Sequence, residues 1–297
     1  MSHKGKFALL ALGLVVLAGC RDSVADSLPP QEDVALKLRE AIVASQGDVE
    51  SDAEAEVQER TGWGTIKGRF VVVGPTPTLA PLRADKDTEV CGTSAPDDSI
   101  KVGADGSLAN LTIYAVGLKG DNVHESAASP VDDSVLFDQE KCIFLTRVTL
   151  MQTGQKLRVK NSDTVSHNTL IKTKRSPETN ITINAKDEKL LNIPAAEKTP
   201  VPVACSVHPW MLAYLFPHEN GYAAVTGDDG TFEIANLPAG IDLKILVWHE
   251  RLKKFNKIDV NGEEQTWKRG VVKLDKPLEP DEVRELEIKI PAGLLGG

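Results

Sequence analysis

"GQKLRVKNSDTVSHN" (residues 154–168) runs from a glycine through a strand ending Val159-Lys160-Asn161 to His167, followed by Asn168. Downstream, "VACSVHPWMLAYL" (203–215) places Cys205, His208 and Met211 at three-residue steps. A cysteine closing a strand, a histidine three residues on and a methionine three further face one point if the chain loops tightly, and Pro209 and Trp210 suit such a loop. Thiolate, imidazole and thioether are a soft donor set that fits copper better than magnesium or calcium. One strong ligand is then missing, and His167 is placed to supply it from another strand. Singly, Cys205 reads better as a buried inert thiol and Met211 as core filler; only together with His167-Asn168 do they point to a metal. Zinc held by one cysteine, two histidines and water is a further alternative, in which Met211 has no role.

From Gly62 onward the chain reads as short strands and turns. "GTIKGRFVVVG" (64–74), "GADGSLANLTIYAVG" (103–117), "CIFLTRVTLMQTGQKLRVKNSD" (142–163) and "GDDGTFEIANLPAGIDLKILVWHE" (227–250) each hold one or two strands, with Asp-Gly turns in the second and fourth. "ELEIKI" (285–290) alternates strictly, with Leu286, Ile288 and Ile290 on one face. Strands at this spacing without long helical patterns predict an all-β chain of sandwiches.

The segment 154–168 resembles the cupredoxin pattern "G..l.v.N.d...HN" of plastocyanin, amicyanin and pseudoazurin. The spacing Cys205-x2-His208-x2-Met211 is similar to the short ligand loop of amicyanin, the methylamine-utilisation type. The resemblance implies a Greek-key cupredoxin sandwich over 138–226 and one type 1 copper. Cys205, His167 and His208 would form the trigonal plane, with Met211 as the long axial ligand. It also implies that Asn168 braces the cysteine loop; Ser206 is a second candidate donor near the sulfur. A site of four protein ligands implies one-electron transfer and no enzyme activity. A redox protein would dock over the edge of His208, with Pro209, Trp210, Leu212, Tyr214 and Leu215 as candidates for an apolar rim. The amicyanin likeness suggests a quinoprotein dehydrogenase as donor, although docking partners do not travel with a fold.

"TGWGTIKGRFVVVG" and "GDDGTFEIANLPAGIDLKILVWHE" resemble the first strand and central hairpin of carboxypeptidase-regulatory-like, transthyretin-like sandwiches. About 150 residues separate the two pieces, which a domain inserted into the outer sandwich explains. The expected organisation is 61–137 and 227–292 for the split outer sandwich, with 138–226 between. A plain tandem, with 61–137 a separate sandwich, is the alternative.

At the N-terminus, His3, Lys4 and Lys6 precede an apolar run, Phe7 to Ala18, too short to span a bilayer. The run ends Leu17-Ala18-Gly19-Cys20 and resembles the bacterial lipoprotein box, which implies a signal peptide over 1–20, lipid on Cys20 and a tether to a membrane of the cell envelope. Residues 21–60 read as an acidic linker with one short helix. The net charge of −9 becomes −11 once Lys4 and Lys6 leave, which argues against nucleic acid as a partner. Cys91, Cys142 and Cys205 then remain, an odd number outside the cytoplasm. Since Cys205 stands beside His208 and Met211, the pair most easily spared for a disulfide is Cys91–Cys142.

Five histidines remain in the mature chain without a His-x-His pair, so one copper with no oxygen-reducing centre is the ceiling. His218 reads as a surface residue, with a place near the copper rim as the alternative; His249 reads as structural, and His124 as part of a polar loop. The competing function is a non-redox module: a carbohydrate-binding-like sandwich, or copper storage. Four Trp and three Tyr are few for a sugar-binding face.

Overall fold

The computed structural model describes residues 59–296 apart from 268, 269 and 273. The expected signal peptide, the lipid on Cys20 and all but the last residues of the acidic linker lie outside the described residues. Among the described residues no helix is long and apolar enough to cross a membrane.

Alternation builds an all-β fold of two face-to-face pairs of sheets. In Lys156–Asn161, Leu157, Val159 and Asn161 are buried while Lys156, Arg158 and Lys160 face outward. The strand runs parallel to Ser134–Glu140 and antiparallel to Glu188–Asn192. The facing sheet is ordered Thr179–Ile183, His167–Ile171, Val201–Ala204, Leu212–His218, Val148–Gln152. The chain crosses repeatedly between these two sheets. Phe137, Leu157, Val159, Ile171, Val203 and Leu215 fill the core of this inner sandwich, all without solvent exposure.

The outer sandwich has its own core. Gly62–Val73 pairs antiparallel with Thr231–Ala239 and parallel with Val283–Pro291. Its facing sheet joins Ala223–Val225, Thr112–Val116, Lys244–Trp248 and Val271–Val272. The first strand and the late strands thus share one sheet, with the inner sandwich emerging between them in sequence. Gly68 is required where it stands: a Cβ there would strike the carbonyl oxygen of Leu286 and the ring of Phe232. The Asp-Gly turns at Gly106 and Gly230 take φ of +84° and +73°, and Arg69 binds both through Asp105 and the carbonyl of Asp229.

Three borders differ from the expected ones. The boundary between 137 and 138 falls inside Ser134–Glu140, which belongs wholly to the inner sandwich. Ala223–Val225, expected in the inner domain, pairs with Thr112–Val116 of the outer one. Ala84, Cys91 and Ala95, expected in the outer domain, are buried in the inner core. In each case a pairing or contact distant in sequence overrides the local pattern.

The sandwiches meet along Leu212–His218. Tyr214 packs its ring on Trp248 at 4.8 Å, and Tyr114 on Phe216 at 4.7 Å. Arg147 holds Glu250 through two 2.5 Å contacts and donates to the carbonyl of Leu212 at 2.8 Å. His249 lies beside this pair, 4% exposed. Burial, followed by the charges of Arg147 and Arg251, pulls its pKa down to about 4. The unfolded chain therefore takes up a proton below its ordinary value of 6.5 that the native ring refuses. Stability is expected to fall by about 3 kcal/mol between pH 6.5 and pH 4 from this group. Denaturant unfolding across that range checks it, and His249→Gln should flatten this part of the slope.

Candidate metal centre

His167 opens its strand and Cys205 follows the end of the neighbouring strand Val201–Ala204, so sheet pairing brings them to one end of the inner sandwich. The loop after Cys205 closes on itself. Cys205 N–H donates to the carbonyl of Met211 at 3.2 Å, and Met211 N–H donates to the carbonyl of His208 at 2.9 Å. The sulfur of Cys205 accepts two backbone N–H groups, from Asn168 at 3.3 Å and from His208 at 3.4 Å. His167 and His208 are fully buried, Cys205 and Met211 nearly so.

The imidazoles face each other with 2.9 Å between their Nδ1 atoms, and Cys205 Sγ lies 3.7 Å from Nδ1 of His208. One donor atom from each of His167, Cys205 and His208 lies within 4.8 Å of the other two. Each ring turns its other nitrogen to a carboxylate: His167 Nε2 to Asp163 at 2.7 Å and His208 Nε2 to Asp87 at 2.8 Å. A carboxylate accepts, so the rings donate Nε2–H there and keep the Nδ1 lone pairs. Two lone pairs facing at this distance require a cation or a proton between them. Burial, opposed by Asp163, holds the His167 pKa below the ordinary histidine range, which keeps the ring neutral as a ligand must be. The residues present therefore fit a soft or borderline cation.

The supports are built from the same motif. Asn161 donates through its amide to the carbonyls of Val165 at 2.8 Å and Asn184 at 3.0 Å, and accepts from Asp163 N–H at 2.9 Å. This pins the turn that presents Asp163 to His167. The N–H groups of Lys141 and Cys142, consecutive residues at positive φ, both point at the Asp163 carboxylate, at 2.6 and 2.8 Å. Asn168 accepts the N–H and hydroxyl of Ser206 and donates to the carbonyl of Ile181, tying the cysteine loop to the strand beyond.

Cys91 and Cys142 form a disulfide, and their sulfurs lie within 4.8 Å of a nitrogen of His208. Trp210 sets its ring at 5.1 Å from that of His208 and donates its indole N–H to the carbonyl of Cys142 at 3.0 Å. Met211 shares the core with Cys205 and Trp210.

Several expectations are corrected. His208 has no exposed edge, because Asp87 and the segment around it cover the ring. Of the five rim candidates, Trp210 and Leu215 are buried, Leu212 and Tyr214 half-buried and Pro209 exposed. The hydroxyl of Ser206 goes to Asn168 and not to the sulfur. His218 is buried at the far end of its strand, stacked against Phe216 and bonded to the carbonyl of Asn220. Asp163, Asn161 and Asp87 were not singled out from the sequence. The first two stand inside the segment that contains His167, whereas Asp87 lies 121 residues from its partner and carries no local signal.

No family model matches the chain, and no curated protein does. Among solved structures it is similar to amicyanin from Paracoccus versutus, with 18% identity over 36% of this chain and 97% of that one, at a TM-score of 0.26. A point mutant of amicyanin in the Cu(I) form gives 15% identity, 36% and 98% coverage, and a TM-score of 0.26. A Cu-containing nitrite reductase from Thermus scotoductus SA-01 gives 14% identity and a TM-score of 0.27; the match spans 33% of this chain and 25% of the reductase. None of these carries a ligand assignment over to this chain.

Proposed function

We propose that the chain acts as a one-electron carrier and that Cys205, His167, His208 and Met211 would hold its one type 1 copper ion. The observation that carries this reading is the pair of buried Nδ1 atoms 2.9 Å apart beside the Cys205 sulfur. Copper bound there supplies one-electron exchange between Cu(I) and Cu(II). The chain's own part is to hold the donors still: Asp163 and Asp87 fix the rings, Asn168 fixes the cysteine loop, and two N–H groups fix the sulfur. Donors braced in this way reorganise little as charge changes, and four protein ligands leave no place for a substrate, so the reading is of a carrier and not an enzyme.

In this reading Cys20 carries the lipid that tethers the mature chain to a membrane of the bacterial cell envelope, facing the periplasm or the exterior. The partner is another redox protein. The two sandwiches correspond to an inserted cupredoxin domain and a carboxypeptidase-regulatory-like, transthyretin-like frame.

A second reading, copper held without electron traffic, is favoured by the complete cover over His208. A redox titration separates the two. One copper per chain, cycling reversibly with one electron per chain, supports the carrier; copper that stays bound and does not cycle supports storage.

A further inference from the structure

Residues 84–95 form a strap over the metal centre. Leu82–Arg83 pairs with Ser94–Ala95 at its neck, Ala84, Cys91 and Ala95 are buried in the inner core, and Cys91 is bonded to Cys142. At the tip, Asp87 stands at a left-handed φ of 48° before the short helix Thr88–Cys91. Its carbonyl accepts from Val90 and Cys91 N–H, at 2.9 and 2.8 Å. An aspartate in that position ordinarily caps its own helix with the carboxylate. Here the side chain makes no cap bond and instead accepts Nε2–H of His208 at 2.8 Å.

We propose that Asp87 is a positioning residue of the metal centre, delivered by the disulfide-tied strap. Its carboxylate holds His208 as the Nε2–H tautomer, with Nδ1 turned to Cys205 and His167, and shuts the edge of the ring from water. This rests on the reading of His208 as a copper ligand. Asp163 does the same for His167 from within the sandwich, and the contrast is informative. The Asp163 side chain is 4% exposed and that of Asp87 44%. A protein approaching this face therefore meets Asp87 and not the imidazole.

The test uses the full chain labelled with ¹⁵N. Asp87→Gly removes the carboxylate while accepting the positive φ, which alanine would resist. Asp87→Asn keeps an acceptor and tolerates the same backbone. In the metal-free wild type, long-range ¹H–¹⁵N correlation should show His208 as Nε2–H. Asp87→Asn should keep that tautomer, whereas in Asp87→Gly His208 should mix both forms while His167 stays unchanged. With copper added, Asp87→Gly should bind about 10- to 100-fold more weakly and Asp87→Asn within a few-fold of wild type. A wild-type His208 that lacks the Nε2–H overturns the proposal. So does Asp87→Gly with unchanged tautomer and copper affinity. Should that variant fail to fold, Asp87→Asn decides: the His208 Nε2–H resonance must move while that of His167 does not, and no movement overturns the proposal. The tautomer arm needs no metal, so a chain that never binds copper would sink the carrier and leave this test standing.

Discussion

Replacing Cys91 and Cys142 together by alanine lowers the unfolding free energy by about 4 kcal/mol. The bond closes a loop of 51 residues, and the loss of loop-closure entropy from the unfolded chain for that length is of this order. Both sulfurs are buried, so the methyl groups left behind also pack less well. The site responds as well. With the tie gone, the strap keeps only Ala84, Ala95 and its neck pairing as anchors, and the contact of Asp87 with His208 is expected to loosen. A single replacement is the wrong probe, because it leaves a free thiol within reach of His208. Denaturant unfolding of wild type and double variant gives the stability loss. Copper transfer to a chelator, faster in the variant, gives the loss of cover.

The second large effect lies at the junction between the sandwiches. Glu250→Ala removes the partner of Arg147, whose side chain is 13% exposed against 7% for the glutamate. A guanidinium left in a buried site without its carboxylate is expected to cost about 3 to 5 kcal/mol. Glu250→Gln keeps the shape and one acceptor and should cost less. The physical origin is tested by removing both charges. Arg147→Met with Glu250→Leu should recover most of the stability, since a buried pair replaced by apolar groups of similar volume is close to neutral. A double variant as unstable as Glu250→Ala would contradict the charge account; its own loss would then come from the Leu212 carbonyl, which loses its Arg147 donor only in the double variant.

The two large effects mark what could and could not be read in advance. The strands around the site follow from alternation: Lys156–Asn161 and Val283–Pro291 bury every second residue. His167, Cys205 and His208 stand out in the sequence by residue type and spacing, and sheet pairing with a loop closed by two backbone bonds gathers them at one end of the inner sandwich. The pairing of Cys91 with Cys142 was an inference from parity. Asp87 and the strap left no trace, since a short segment without periodicity takes its place from contacts distant in sequence. The same holds for Arg147 and Glu250, 103 residues apart. His218, which reads as a surface residue, is buried by packing against Tyr114 and Phe216. An exposed histidine edge was expected from resemblance, and the resemblance does not contain the strap.

Visible absorption of the chain titrated with Cu(II) past one equivalent tests the central claim most directly. An intense Cu(II)–thiolate band should appear and saturate at one copper per chain. It should vanish in Cys205→Ser while the far-ultraviolet circular dichroism stays that of the wild type. A wild-type chain that remains colourless, or a band that survives in Cys205→Ser, would contradict the account.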